Sequence, residues 1–178
     1  MKLLRAIRLD ASDTFIFGAA AEPGEWAVSG AFVFWDKAPT ALDAKARAAF
    51  RSGFLGVNSL GWSTLVQVVQ ATETERTSLV EHLAEQLVRH FGAPTRAAAK
   101  AAAEEEVAFV ESLCAVPQGS IIAVHRRYED GAMRESFRTL RPRDGVKPAR
   151  VFSFLEAEGE DEPSEKFDLA ALAERERK

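Results

Sequence analysis

Residues 120–140 read SIIAVHRRYEDGAMRESFRTL, and this stretch decides the fold around it. Two runs with strand-forming residues, 120–128 and 132–140, flank the turn residues Glu129-Asp130-Gly131. An Asp-Gly pair between such runs is a strong signal for a two-residue hairpin loop, because both positions tolerate a positive φ. The sequence therefore predicts a β-hairpin.

Burial fixes the register of this hairpin. With Asp130-Gly131 as the loop, Arg126 lies opposite Glu135 on a face that is otherwise mostly apolar. That face carries Ile122, Val124, Tyr128, Met133, Phe137 and Thr139. The other face gathers the polar and cationic side chains His125, Arg127, Arg134, Ser136 and Arg138. A shift of one residue would mix the two sets, so we expect this register.

Several cations on one hairpin face repel one another unless an anion or a carboxylate lies among them. We therefore take four residues as candidates for contact with an anion or a partner: His125, Arg127, Arg134 and Arg138. The first candidate for the acidic group is the chain's own segment 158–165, held nearby at high effective concentration. An acidic partner protein, or a small carboxylate or phosphate ligand, comes second. A pI of about 5.5 argues against nucleic acid.

Two helices precede the hairpin. Thr72 and Glu75 form a capping box, and an apolar stripe behind them ends at Gly92. Thr95 caps an Ala-rich helix that runs to about Cys114. The link between the helices is short, so we expect them to pair as an antiparallel helical hairpin.

The N-terminal half predicts shorter elements. Residues 3–9 and 14–17 read as two strands of a hairpin, and residues 25–35 as a strand in which Gly30 marks a bulge or a close backbone approach. Thr40 and Asp43 resemble a capping box before a helix over residues 41–52. Residues 62–72 are the candidate for a central strand.

These elements predict an α+β fold: a single domain with a mostly antiparallel sheet of about five to six strands, packed against three helices that include an αα-hairpin. We place the domain at residues 1–155, with a further strand over residues 150–156. Residues 156–178 are expected to form an acidic linker and a short C-terminal helix.

Composition narrows the function classes. The 178 residues are 47% hydrophobic and carry a net charge of −4, of which −5 falls in residues 156–178. The remainder is nearly neutral. The single cysteine, and the absence of a segment that reads as a signal peptide, favour a cytoplasmic protein. No apolar run is long enough for a membrane span, so we expect no membrane partner.

The motifs assign no catalytic, cofactor-binding or metal residue. The loop Gly56–Ser63 nearly matches a phosphate loop, but Trp62 replaces the lysine, and the loop connects a helix to a strand instead of a strand to a helix. Cys114 lies at a helix C-terminus on an apolar stripe, which predicts a buried, unreactive thiol. The three histidines lack metal-ligand spacing, and the run Glu104-Glu105-Glu106 cannot converge on one ion from its helix alone.

The whole chain resembles a bacterial family of unknown function. The resemblance rests on MKLLRAIRLD, SDTFIF, EPGEWAVSGAFVFWD, ARAAFRSGFLGVNSLGWSTLV, AAAEEEVAF, IAVHRRYEDG and FSFLE. It carries no known activity and no catalytic residues. It implies at most an accessory role, beside molybdenum or iron–sulfur oxidoreductases.

Two function hypotheses follow. The first is a non-enzymatic accessory or interaction protein, and exposed sheet edges and the Ala-rich helix also make a homo-oligomer compatible with the sequence. The second is an enzyme or a small anionic-ligand-binding protein. Its pocket would lie near the loop Gly53–Gly61, beside Asn58 and Trp62. We expect the first, and the sequence favours no cofactor.

Overall fold

The hairpin predicted from residues 120–140 forms the middle of the main sheet in the computed structural model, which describes residues 1–37, 39–142 and 155–158. The helices are α1 Ser12–Ile16, α2 Ala44–Ser52, α3 Glu73–His90 and α4 Arg96–Leu113, with short 3-10 helices at Ala31–Phe34 and Pro39–Ala41. The strands are β1 Lys2–Ile7, β2 Ala27–Val28, β3 Phe54–Gly56, β4 Trp62–Ser63, β5 Leu65–Gln70, β6 Ile121–Glu129, β7 Ala132–Pro142 and β8 Leu155–Glu158.

These elements confirm the α+β class, with antiparallel sheets and a helical hairpin. The main sheet has five strands in the order β1-β5-β6-β7-β8, and a second sheet has three strands in the order β2-β3-β4. Every pairing in both sheets is antiparallel. The sequence did not predict the second sheet, because its strands are only two or three residues long.

The hairpin has the predicted register. Tyr128 lies opposite Met133 and Arg126 opposite Glu135, so Asp130 and Gly131 form the two-residue loop. Both loop residues have positive φ, 51° and 76° respectively, as a mirror-image hairpin turn requires. Alternation along β6 buries Ile122, Val124 and Arg126 and leaves His125 and Arg127 exposed.

The helical hairpin is also confirmed. Thr72 caps α3 and forms the reciprocal capping box with Glu75, and the Thr95 hydroxyl accepts the Ala98 N–H at the start of α4. The buried stripes of the two helices join the same core as the buried residues of β1, β5 and β6. These stripes are Leu79, Val80, Leu83, Ala84 and Leu87 of α3, and Ala99, Ala103, Val107 and Val110 of α4.

The strand predicted at residues 14–17 is wrong, because residues 12–16 form helix α1. Local hydrogen bonds start this turn: the Asp10 carboxylate accepts the Ser12 N–H, and the Thr14 hydroxyl donates to the Ala11 carbonyl. The buried Asp13 side chain then accepts the N–H and the hydroxyl of Thr64. A contact across 51 residues therefore anchors α1, which local propensity does not report.

The long strand predicted at residues 25–35 is also wrong. Only Ala27–Val28 pairs as a strand, and Gly30, at a φ of 74°, turns the chain into a 3-10 helix. The expected close backbone approach at Gly30 is present: a Cβ there would lie 2.6 Å from Leu55 Cβ and 3.1 Å from the Trp62 ring. A glycine at this position lets the 3-10 helix pack directly on the second sheet.

Two boundaries in the middle of the chain differ from the prediction. The helix expected over residues 41–52 begins at Ala44, because the Asp43 carboxylate is itself the N-cap and accepts the Ala46 N–H. The strand expected over residues 62–72 is broken at Thr64, where the chain passes from the second sheet into the main sheet. The bonds from Thr64 to Asp13 hold this break.

At the C-terminal end, β8 pairs with β7, with Leu155 opposite Pro142 and Glu158 opposite Thr139. The predicted strand over residues 150–156 therefore overlaps β8 only at residues 155 and 156, and its first five residues lie outside the described residues. The expected linker loses residues 156–158 to this strand. The rest of that linker and the C-terminal helix lie outside the described residues, and the domain boundary at residue 155 stays a prediction.

Candidate functional site

The four cationic candidates lie together on one exposed face of the β6–β7 hairpin. We call His125, Arg127, Arg134 and Arg138 the arginine face. Arg127 is directly opposite Arg134, His125 is opposite Ser136, and Arg138 is opposite Ala123. All four candidate side chains are exposed. The hairpin register therefore brings these four residues together, as the alternation of side chains predicts.

The charges of the arginine face are only partly compensated. Glu129 forms an ion pair with Arg127 at 3.0 Å. Within the residues that the structure describes, no carboxylate oxygen lies within 4.0 Å of a guanidinium nitrogen of Arg134 or Arg138. Like charges directly opposite each other in an antiparallel pair destabilise it. Arg134 and Arg138 are therefore the cations of this face with which an acidic group could pair.

The acidic segment proposed as the first partner of this face begins at the edge of the same sheet. Its first residue, Glu158, is the last residue of β8 and lies opposite Thr139, next to Arg138 along β7. The remainder, residues 159–165, lies outside the described residues. Docking of this segment on the arginine face stays a prediction.

The other face of the same hairpin holds a buried arginine. Arg126 is 1% exposed, and all five of its guanidinium N–H donors have acceptors. Its Nε donates to the Glu135 carboxylate at 2.6 Å. Its Nη1 donates to the carbonyls of Phe50 and Gly53, at 3.2 and 2.7 Å. Its Nη2 donates to the carbonyl and the hydroxyl of Ser29, at 2.5 and 3.0 Å.

This arginine closes the end of α2. Phe50 lies in the last turn of the helix, where carbonyls have no partner within the helix and the helix dipole is negative. Burial lowers the pKa of Arg126, whereas the Glu135 carboxylate raises it, and an arginine stays protonated in either case. The cation thus serves as an internal clamp among α2, β7 and the segment after β2.

A second carboxylate, Glu106 of α4, lies close to this clamp. Its Oε1 accepts the Gly30 N–H at 3.0 Å. Burial raises the pKa of Glu106, and the nearby negative charge of Glu135 raises it further, whereas the Gly30 N–H and Arg126 act in the opposite direction. Glu106 is therefore a partly desolvated carboxylate between the clamp and a cavity.

That cavity, the Trp35 cavity, has a volume of about 200 Å³. Two aromatic rings, two acidic residues and two aliphatic residues line it: Phe32, Trp35, Glu105, Glu106, Leu87 and Ala102. Trp35 is 81% exposed. Sequence reasoning assigned none of these residues to a site, because they come from three separate segments of the chain.

At the loop where a pocket was predicted, beside Asn58 and Trp62, backbone donors are bonded within the chain. The buried carboxylate of Glu25 accepts the N–H groups of Asn58 and Ser59, at 2.8 and 3.0 Å, and the Ser59 hydroxyl at 2.5 Å. It also accepts the Glu22 N–H at 2.6 Å. The amides that resemble a phosphate loop therefore already bind an anion, the chain's own glutamate.

Both of these pocket candidates are accounted for by packing around the loop. Trp62 is half-buried, 5.2 Å from the Phe34 ring, and its ring also covers Gly30 and Gly53. Asn58 is exposed, and its carbonyl accepts a hydrogen bond from Gln86 of α3 at 3.5 Å. The Trp35 cavity is lined by neither of them.

The remaining sequence candidates behave as structural residues. Cys114 is buried, as predicted, and burial raises the pKa of its thiol to about 11. The run of three glutamates diverges: Glu104 pairs with Arg76 at 2.9 Å, whereas Glu105 and Glu106 line the Trp35 cavity. Among the described residues, no three His, Cys, Asp or Glu side chains converge as a metal site. No helix in the same part of the chain is long and apolar enough to cross a membrane.

Two buried charged residues, Arg126 and Glu25, hold segments of the fold together and were not predicted to do so. The sequence carried a signal for Arg126 only. Arg126 and Glu135 stand opposite each other on the apolar face of the predicted register, where an unpaired charge would be too costly. Glu25 carried no comparable signal. Its partners lie 33 and 34 residues away in a loop whose conformation the local sequence does not specify.

The model of a family of unknown function matches residues 1–154. No curated protein and no solved structure matches the chain.

We expect Arg126→Ala to lower the free energy of unfolding by about 3–5 kcal/mol, because it removes the cationic partner of the half-buried Glu135 carboxylate and leaves three buried carbonyls without this donor. Arg126→Lys keeps the charge but loses the five-donor geometry, so it should recover only part of the loss. Urea denaturation measures both. The exposed Arg134→Ala is the control and should change stability by less than about 1 kcal/mol. Equal losses for Arg126→Ala and Arg134→Ala would contradict the clamp.

Glu25→Ala should lower the free energy of unfolding by about 2–4 kcal/mol, because buried N–H donors lose their acceptor. The Asn58 and Ser59 amides should also exchange with solvent much faster. Hydrogen exchange followed by NMR reports these two amides directly. Glu22→Ala removes a neighbouring exposed carboxylate and keeps the Glu22 N–H, so it is the matched control. Unchanged protection of Asn58 and Ser59 in Glu25→Ala would show that the carboxylate does not hold the loop.

Proposed function

The chain belongs to this family, DUF6505, whose function is unknown, and we propose that it is a non-enzymatic accessory protein of the cytoplasm. In this proposal it binds an acidic segment of a partner protein on the arginine face. The family resemblance of the sequence implies that the protein serves a molybdenum or iron–sulfur oxidoreductase system.

The observation that carries the proposal is the direct opposition of Arg127 and Arg134 on an exposed sheet face. Like charges directly opposite each other favour an anion between them, and Arg134 and Arg138 form no ion pair within the described part of the chain. Arginine is enriched at protein interfaces because its planar fork recognises carboxylates with two parallel hydrogen bonds. The arginine face is therefore better suited to binding a partner than to stabilising the fold.

The spacing of the cations favours an extended acidic polypeptide over a single small anion. Arg134 and Arg138 lie four residues apart on β7, which corresponds to about 13 Å along a strand. Both guanidinium groups would have to bend toward each other to share one phosphate, whereas carboxylates spaced along an extended segment can pair with each group in place. The net charge of −4 for the whole chain also argues against a nucleic-acid backbone as the partner.

The alternative ligand site at the loop Gly53–Gly61 is less well supported. Its N–H donors at residues 58 and 59 are bonded to the Glu25 carboxylate. An incoming anion would have to displace a buried carboxylate that already has several donors, including the Ser59 hydroxyl. We therefore place the contact surface on the arginine face.

The test uses a fluorescent peptide of alternating glutamate and serine, with binding measured by anisotropy. Arg134→Glu combined with Arg138→Glu should weaken binding by about 10-fold or more, because attraction becomes repulsion at two positions. The matched control is Lys45→Glu with Arg51→Glu on α2, which makes the same change in net charge at exposed positions and should alter affinity less than about 2-fold. Binding of the wild type should also weaken as salt is raised.

The chain's own acidic segment competes in this experiment if it occupies the same face. A full-length variant with Glu160, Asp161, Glu162 and Glu165 changed to their amides removes that competition and keeps the chain length. The peptide should bind this variant at least as tightly as the wild type. Loss of binding upon charge reversal in this background supports the proposal. Equal affinities of the arginine-reversed and α2-reversed chains would overturn it.

A further inference from the structure

The Trp35 cavity combines aromatic walls with carboxylates, on the opposite side of the hairpin from the arginine face. Phe32 is fixed there by an edge-to-face contact with Phe91, with ring centroids 5.3 Å apart and planes at 88°. Glu105 and Glu106 supply two acidic groups to the same cavity. Aromatic faces and carboxylates both attract cations, the former through the negative face of the ring.

Trp35 gives the cavity an unused aromatic surface. It directly follows the 3-10 helix Ala31–Phe34, and its N–H donates to the Phe32 carbonyl at 3.3 Å, which ties its backbone to the opposite wall. The side chain is nevertheless 81% exposed. Trp is enriched at protein interfaces, and here the exposed indole stands beside a cavity that carries carboxylates, so its ring is available to a ligand.

In the part of the chain that the structure describes, neither carboxylate of the cavity forms an ion pair, and Arg126 acts on Glu106 only from beyond ion-pair distance. No Lys or Arg nitrogen in the described part of the chain lies within 4.0 Å of Glu105 or Glu106, whereas the adjacent Glu104 is paired with Arg76. Glu106 is held in place by the Gly30 N–H at the inner end of the cavity. A positioned, partly desolvated carboxylate gains more from a nearby cation than a fully solvated one does.

We infer that the Trp35 cavity binds an organic cation, an alkylammonium or a guanidinium group, which stacks on Trp35 and Phe32 and pairs with Glu105 and Glu106. Such a cation reaches the cavity either on a lysine or arginine side chain of another protein or as a small free amine. This inference does not depend on the proposed function of the arginine face.

The size of the cavity sets the class of ligand. A volume of about 200 Å³ corresponds to roughly seven water molecules and is below the range of sites for drug-sized ligands. One cationic head group with a short alkyl stem fits this space. A bare divalent metal ion is a poorer match, because Ca²⁺ and Mg²⁺ need six or more oxygen ligands and gain nothing from the aromatic walls.

The raised pKa of Glu106 makes binding of the cation depend on pH. Its carboxyl interacts with Arg126 from β6 and Glu135 from β7, while Glu105 lines the same cavity from the same helix, and burial together with Glu135 raises the pKa of Glu106. A bound cation stabilises the charged form and so releases a proton where Glu106 is partly protonated. Affinity should therefore rise as the pH is raised through the pKa of Glu106 in the free protein.

The experiment follows the indole N–H signals of the full-length protein by ¹⁵N NMR. The chain has three tryptophans, and the signal of Trp35 is assigned by its loss in Trp35→Phe. N-acetyl-arginine amide, N-acetyl-lysine amide and free butylamine are the probes, and N-acetyl-citrulline amide is the neutral match for the arginine probe. We expect the cationic probes to shift the Trp35 signal saturably and the neutral probe to leave it nearly unchanged.

Glu105→Gln combined with Glu106→Gln should weaken binding of the cationic probes by about 10-fold or more, since the amides keep the size and lose the charge. Glu104→Gln is the matched control on the same helical turn, and its affinity should stay within about 2-fold of the wild type. Both variants should keep the wild-type dispersion of the other two indole signals, which shows that the fold is retained.

The three probes separate the two sources of the cation. Tighter binding of the two amide-capped amino acids than of butylamine supports a side chain of a partner protein, and the reverse supports a free amine. The inference is overturned if no cationic probe shifts the Trp35 signal at concentrations of about 10 mM, or if citrulline shifts it equally. It is also overturned if Glu104→Gln weakens binding as much as the double variant does.

Discussion

The buried guanidinium of Arg126 is the interaction on which the arrangement of the elements depends. One side chain on β6 satisfies acceptors from the end of α2, from the Ser29 segment and from Glu135 on β7. These partners are up to 97 residues away in sequence. Because the cation is buried, each missing acceptor would leave an unpaired N–H in the interior. The geometry of all three segments is therefore coupled to one residue.

The same strand alternation that buries Arg126 exposes Arg127. Successive side chains of β6 point to opposite faces, so adjacent arginines acquire opposite roles: one is enclosed by five acceptors, and the other faces Arg134 across an exposed surface. A register shift of one residue would bury the cations of the arginine face without acceptors. The internal clamp and the external surface thus depend on a single register.

The parts that could be predicted from the sequence are those set by local chemistry. The Asp130-Gly131 turn fixed the hairpin, and the capping residue Thr72 fixed the start of α3, both within a few residues. The N-terminal half was harder because long-range contacts decide it. Thr64 breaks a valine-rich strand because Asp13 binds it from 51 residues away, and no local pattern reports that bond. For the same reason the arginine face was predictable, whereas the Trp35 cavity, which three segments assemble, was not.

Some carboxylates inside the protein stabilise the fold through hydrogen bonds and ion pairs, whereas another remains available to a ligand. Glu25 closes the loop at Asn58, and Glu135 neutralises Arg126. Glu106 has a backbone donor but no ion pair within the described part of the chain, and it lies at the junction between the clamp and the cavity. A cation bound at Glu106 would offset the repulsion between Glu106 and Glu135. Occupancy of the cavity would therefore act on the clamp that lies beneath the arginine face, and the two surfaces are linked through the charge network of Glu106, Glu135 and Arg126.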